Sequence, residues 1–174
     1  MALETIYMAG DDALGNQFQV VIPAFPGCVD PVGINLRVTD FTCPELTVGT
    51  YPVDYKGGSF EKPSGKNDSA KDISFTFRID KFWNSYKSFV NLKQLMSNDL
   101  TYQIGYDVLP GGVAPYRFPV TVLTLDGLDI PTSSGWQYNF CFLKSISAPS
   151  FSMSSGDALT CDISMGFVSQ KVIG

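Results

Sequence analysis

The sequence predicts a mainly β protein: an antiparallel β-sandwich or rolled barrel with one flanking α-helix at about residues 81–97 and a long loop at about 55–72. Three observations carry that prediction. Sixteen glycines and eleven prolines cut the chain into short apolar runs, the pattern of short strands joined by turns. Two stretches alternate: Ile73, Phe75, Phe77 and Ile79 face one way in the first, and Leu159, Cys161, Ile163, Met165 and Phe167 in the second. The period changes only once, from 2 to 3.6, after Asp80.

Each element follows in order. Gln17–Pro23 is the first clear strand, with Phe18, Val20 and Ile22 opposite Gln17 and Gln19. The proline-rich PAFPGCVDPVG is a connection, after which Ile34–Phe41 alternates again, Ile34, Leu36 and Val38 against Asn35, Arg37 and Thr39. Leu46–Tyr55 is a weaker third strand that runs into the loop, and Ile73–Ile79 is the sharpest strand of all. Asp80 then stands where a helix N-cap belongs. On the wheel that follows, Phe82, Trp83, Tyr86, Phe89, Val90, Leu92 and Met96 share a broad face. Asn84, Lys87, Ser88, Asn91 and Gln94 take the other side, which describes an amphipathic helix packed on a sheet. Strands return at Leu100–Val108, Phe118–Leu125, Asn139–Ile146 and Leu159–Val168.

At 174 residues the chain fits one compact domain, 1–174, and 44% apolar with 17% charged residues is globular composition. The start, MALETIYMAGDDALG, has neither a basic n-region nor an apolar run of signal-peptide length, and no later segment approaches a membrane span. Synthesis in the cytoplasm and no membrane partner are therefore expected. The chain has no histidine, which removes Ser-His-Asp and Cys-His nucleophile systems and most catalytic zinc sites. Cys28, Cys43, Cys141 and Cys161 form no C-x-x-C pair and read as free, mostly buried thiols. Carboxylate-pair chemistry survives that exclusion, but seventeen acids nominate no particular pair. No enzyme activity, cofactor or metal is expected. Asp126-Gly127-Leu128-Asp129 lacks the spacing of a calcium loop and reads as turn chemistry.

Charge is unevenly spread. Residues 1–55 carry one arginine against seven acids, whereas residues 56–93 carry eight bases against four acids. The total of −5 makes a poor nucleic-acid binder. Within the basic stretch, YKGGSFEKPSGKNDSAKD contains a Gly65-Lys66 pair reminiscent of a phosphate loop. Such a loop needs four residues between its glycines and a helix after it. Here six separate Gly58 from Gly65, Asn67 replaces the hydroxyl residue, and a strand follows.

Three segments resemble the tail tube proteins of contractile-tailed bacteriophages and, more distantly, the tube protein of type VI secretion systems. They are Asn16-Gln17-Phe18-Gln19-Val20-Val21-Ile22, the run GGSFEKPSGKND leading to ISFTFRID and FWNSYKSFVNL, and SISAPSFSMSSGDALTCDISMGFV. Trp83 corresponds to the tryptophan in the first turn of that family's helix. The resemblance implies a structural, non-enzymatic subunit. Six copies would form a ring whose inner sheets join edge to edge, and rings would stack into a hollow tube that conducts viral DNA into the host without binding it specifically. It also implies sheath, baseplate, terminator and tape-measure partners and a place in the virion tail. Lys56, Gly57, Gly58, Lys62, Lys66 and Lys71 become candidates for contact between subunits or rings. Six copies at −5 give a formal −30 per ring, which would repel phosphate from the lumen if enough of it faced inward. Alternatives are a secretion tube or a baseplate or terminator protein of the same fold. In another class stands a carbohydrate-binding β-sandwich using Trp136, Tyr138 and Tyr116 as stacking platforms.

Overall fold

Nine strands and two helices lie within the described residues, and strand alternation explains most of them. The computed structural model describes residues 17–67, 69–97, 116–126, 128, 130–151 and 156–174, the side chains of Lys66 and Asn67 excepted. The strand expected at Leu100–Val108 lies outside the described residues. In chain order the elements are β1 (Phe18–Val21), α1 (Pro31–Arg37), β2 (Val38–Thr42), β3 (Val48–Tyr55), β4 (Gly58–Asn67) and β5 (Asp72–Arg78). Then come α2 (Asn84–Met96), β6 (Phe118–Leu125), β7 (Pro131–Ile146), β8 (Thr160–Gly166) and β9 (Ser169–Ile173).

The main sheet runs β1-β6-β7-β8-β5-β2, with β9 also on β7, and every pairing is antiparallel. β7 holds its two halves together. Its residues up to Cys141 pair with β6 and, over Gly135–Asn139, with β9, whereas Phe142–Ile146 pair with β8. Phe140, at φ 55, marks the switch. A strand that changes sheets at a local kink makes the corner of a rolled barrel. One layer is therefore β9-β7-β6-β1 and the other β7-β8-β5-β2. Pro119 falls where the β6–β7 register shifts, a position where a missing N–H is tolerated.

The dry face of the second layer is the face that alternation identified. Ile73, Phe75 and Phe77 of β5 and Cys161, Ile163 and Met165 of β8 are all buried. Phe89 of α2 drops between them, its ring centroid 5.5 Å from Phe77, 6.0 Å from Phe75 and 5.5 Å from Phe25. Tyr138, Val120 and Phe118 close the core from the first layer.

Three expectations are corrected. Residues 31–37 are helical, because Asp30 accepts a hydrogen bond from the Gly33 amide through Oδ1 at 2.9 Å and Pro31 supplies the first-turn φ. The period-2 reading put Ile34 and Leu36 on one face; in the helix Ile34 is buried and Leu36 is 75% exposed. Second, α2 begins at Asn84, since Trp83 adopts a left-handed conformation at φ 63. Asp80 still caps it, accepting from the Ser85 amide at 3.0 Å. This start rotates the buried face toward Ser85 and Ser88 and leaves Phe82 71% exposed. Ser88 is buried because its hydroxyl accepts from the Val29 amide at 2.9 Å, and Asn91 donates to the Gly27 carbonyl at 3.1 Å. Gly27 sits at φ +83, and a Cβ there would come within 2.9 Å of Asn91 Cβ.

The third correction concerns the segment read as a loop at about 55–72. Residues 58–67 are strand β4, which pairs with β3 in a two-stranded sheet of its own. Tyr55 faces Gly58, and between them Lys56 and Gly57 take φ 46 and 84. Positive φ at both central residues is the type I′ turn that matches strand twist. β9 was not expected at all.

Candidate functional site: an assembly interface

The hairpin β3–β4 projects with one apolar face and no core of its own. Across the pair, Tyr51 opposes Lys62, Val53 opposes Phe60 and Tyr55 opposes Gly58. Alternation puts Tyr51, Val53, Tyr55 and Phe60 on one face and Thr50, Pro52, Asp54, Ser59, Glu61 and Pro63 on the other. Tyr51 and Phe60 each remain 47% exposed and Tyr55 64%. Lys56 lies over the Tyr55 ring and Lys62 over the Phe60 ring, each with Nζ 5.3 Å from the centroid. At its base the hairpin is tied by Ser69, whose hydroxyl accepts from the Thr47 amide at 2.9 Å, and by Ser64, whose hydroxyl donates to the Gly49 carbonyl at 2.8 Å.

The residues singled out in the sequence mostly fall here. Lys56 and Gly57 form the tip, Gly58 opens β4, and Lys62 stands on the aromatic face. Lys66 is the penultimate residue of the same strand, its side chain outside the described residues. Lys71 lies beyond it, its carbonyl accepting from the Phe167 amide at 3.0 Å. What the sequence reading missed is the aromatic face. Its signal was present: Tyr51, Val53 and Tyr55 alternate up to a Lys-Gly pair, and Phe60 follows at matching parity.

A second surface is the outer face of the β2-β5-β8-β7 layer. Asp40 and Thr42 of β2, Asp72, Ser74, Thr76 and Arg78 of β5, Thr160, Asp162 and Ser164 of β8, and Lys144 and Ser145 of β7 lie on it. Thr76 donates from its hydroxyl to Asp162 Oδ1 at 2.6 Å, and Lys144 pairs with Asp72. Among the described residues β2 pairs only with β5, and the last five residues of β7 only with β8. Among the described residues, no further strand pairs with either end of this layer. The outer face of the opposite layer carries Val21, exposed at 37%.

The aromatic platform of a sugar-binding module is not formed. Tyr138 is fully buried, Tyr116 is buried, and Trp136 is half-buried and stacked on Tyr138 at 6.5 Å. Burial, with the Cys43 thiol beside it, pushes the Tyr138 phenol pKa upward. Cys141 and Cys161 are buried thiols, Cys28 is half-buried and Cys43 exposed; burial raises the Cys141 pKa to about 12. Among the described residues no three His, Cys, Asp or Glu side chains come together to hold a metal. Asp126 Oδ1 accepts from the Leu128 and Ile130 amides at 2.8 and 2.9 Å, so its role is to close a turn. Gly127 and Asp129 lie outside the described residues.

No protein-family model matches the chain, and no curated protein sequence matches it. Solved structures do. The sheath/tube terminator of the PVC extracellular contractile injection system, in its extended state, matches at a TM-score of 0.65 and 13% identity, over 95% of this chain and 99% of that one. The fold is that of contractile-system tube proteins. A chain of the PVC sheath–tube complex matches this tube fold at 0.64 and 13% identity over 97% of both chains. The tube-terminating cap of the anti-feeding prophage matches at 0.61 and 15%, over 94% of this chain and 95% of the other.

Proposed function

We propose that this chain is the structural subunit of a tail tube, in which six copies form a ring and rings stack into a hollow conduit. The observation that carries the reading is the β2-β5-β8-β7 layer: on a chain with the tube fold, it combines a largely polar outer face, on which half-buried Phe142 is the apolar exception, with two edges that no other described strand occupies. An open edge invites another strand. Joining the two different edges of identical copies is a heterologous contact, which closes into a ring when the rotation allows. The polar face would then line the lumen.

That face carries Asp40, Asp72 and Asp162 against Arg78 and Lys144, a net of −1 per copy. Hydroxyl groups and a slight negative charge suit a channel through which viral DNA slides without specific contacts. The repulsion is weaker than the chain's total of −5 would supply. The hairpin, including Lys56, Gly57, Gly58, Lys62 and Lys66, with Lys71 at its base, is the proposed arm toward a neighbouring subunit or ring. Sheath, baseplate, terminator and tape-measure proteins are the remaining proposed partners, in a virion tail assembled in the host cytoplasm.

A tube terminator is the second reading, favoured by the terminator and cap among the similar structures. Light scattering on the purified protein tests both. A tube subunit gives six-fold particles that grow into stacks with concentration, a terminator stops at single rings, and a monomer at every concentration removes both readings.

A further inference from the structure

Each edge of this layer that no other described strand occupies has an unexplained apolar feature beside it. Next to the β2 edge stands α1, which leads directly into β2 and packs on β1 and β5. Its Val32 and Leu36, one turn apart, are 65% and 75% exposed. Next to the β7 edge lies a groove of about 470 Å³ between α2 and the end of β7, lined on its apolar side by Tyr86, Val90, Met96, Leu143 and Ile146. Both helices sit on the core side of this layer, so edge-to-edge joining would bring the knob of one copy to the groove of the next.

We propose that the α1 knob of one subunit seats in the α2–β7 groove of its ring neighbour, a second copy of this chain. The inference rests on the ring reading above. Charge agrees with apolar fit. Asp30 and Glu45 flank the α1–β2 segment against Arg37, Asp40 facing the other side of the layer, whereas α2 carries Lys87 and Lys93 and no acid. An acidic knob beside a basic helix fixes which edge meets which and disfavours joining like edges. The contact also covers Leu36, which in the isolated chain is among the most exposed apolar side chains.

The test is heterotypic cross-linking in a Cys43→Ser background. Leu36→Cys and Gln94→Cys proteins, the second altered at the exposed groove rim, are prepared separately, mixed, and treated with a short bismaleimide. A covalent dimer that forms only in the mixture supports the inference. Rings without that dimer overturn it and leave the tube reading standing, as does a Leu36→Cys dimer formed alone. Absence of rings under all conditions overturns both. In parallel, Leu36→Glu should raise the concentration needed for assembly about tenfold or more, with its circular dichroism unchanged. Adding Gln94→Lys should recover part of that loss, which a folding defect would not permit.

Discussion

The hairpin gives the sharpest prediction about assembly, because on the proposed reading its aromatic face contributes little to the subunit and much to a contact. Replacing Tyr51, Tyr55 and Phe60 together with serine removes three side chains that stay 47%, 64% and 47% exposed in the single chain. Fully burying such a side chain is worth about 1.5–3 kcal/mol. Covering the half still exposed is worth about 1 kcal/mol each, or about 3 kcal/mol for the three. That corresponds to about a 100-fold change in association constant per contact. The lysines contribute less: a surface ion pair is worth about 0–1 kcal/mol, and Lys56 and Lys62 already lie over the hairpin's own rings. Reversing Lys62 and Lys66 to glutamate should therefore weaken assembly several-fold and leave it salt-sensitive, whereas the triple serine variant should abolish it at ordinary concentrations. Sedimentation of assembled material against total protein reads both, and thermal unfolding of the dilute subunit serves as control. If the triple variant assembles at the wild-type concentration, the hairpin face is not an interface and the reasoning fails. A large loss of subunit thermal stability would show instead that the face supports the fold.

Three predictions concern the subunit itself. Phe89→Ala should lose about 3–4 kcal/mol in urea unfolding, since its ring is fully buried against Phe25, Phe75 and Phe77; a loss below about 1 kcal/mol would mean that α2 is not docked on the sheet. Burial raises the Asp80 pKa, but hydrogen bonds from the Ser85 and Asn84 amides outweigh it and hold the carboxyl below its ordinary 3.8. Its contribution is therefore present above pH 3.8 and fades as pH falls through the lower folded value; Asp80→Ala should cost about 1 kcal/mol at neutral pH, a gap that narrows in acid unfolding curves below that point. Cys141, buried and raised from 9.0 to about 12, stays protonated in the fold while the unfolded thiol ionises. Stability should accordingly fall as pH rises from about 9 toward 12, less steeply in Cys141→Ala, and a thiol reagent should label Cys43 long before Cys141 in the native protein.

Much of the fold was legible because one face of the sheet is dry. Ile73, Phe75 and Phe77 alternate against polar neighbours, and β5 forms within one residue of where they place it; β6 occupies Phe118–Leu125 as expected. Where no contrast exists between faces, period 2 loses its meaning. The hairpin is exposed on both sides, and Pro63, Gly65 and its lysines gave it the composition of a loop. α1 spans only two turns, too short to separate a period of 2 from one of 3.6, and the Asp30-Pro31 start signal was the sole discriminating feature. Ser88 looked solvent-facing because a serine's burial depends on a partner, here the Val29 amide, far away in sequence. The candidate site was half legible for the same reason. Lysines and glycines marked the hairpin tip, and alternation marked the polar face of β5 and β8, but the edges of the layer and the apolar groove are properties of strand order, which no local pattern encodes.

Cryo-electron microscopy of the assembled protein tests the central claim most directly. The account predicts hollow tubes of stacked six-subunit rings, with Thr76, Asp162 and Ser164 of the β2-β5-β8-β7 layer facing the lumen. Rings lined instead by the β9-β7-β6-β1 layer, or a protein that stays monomeric at every concentration, would contradict it.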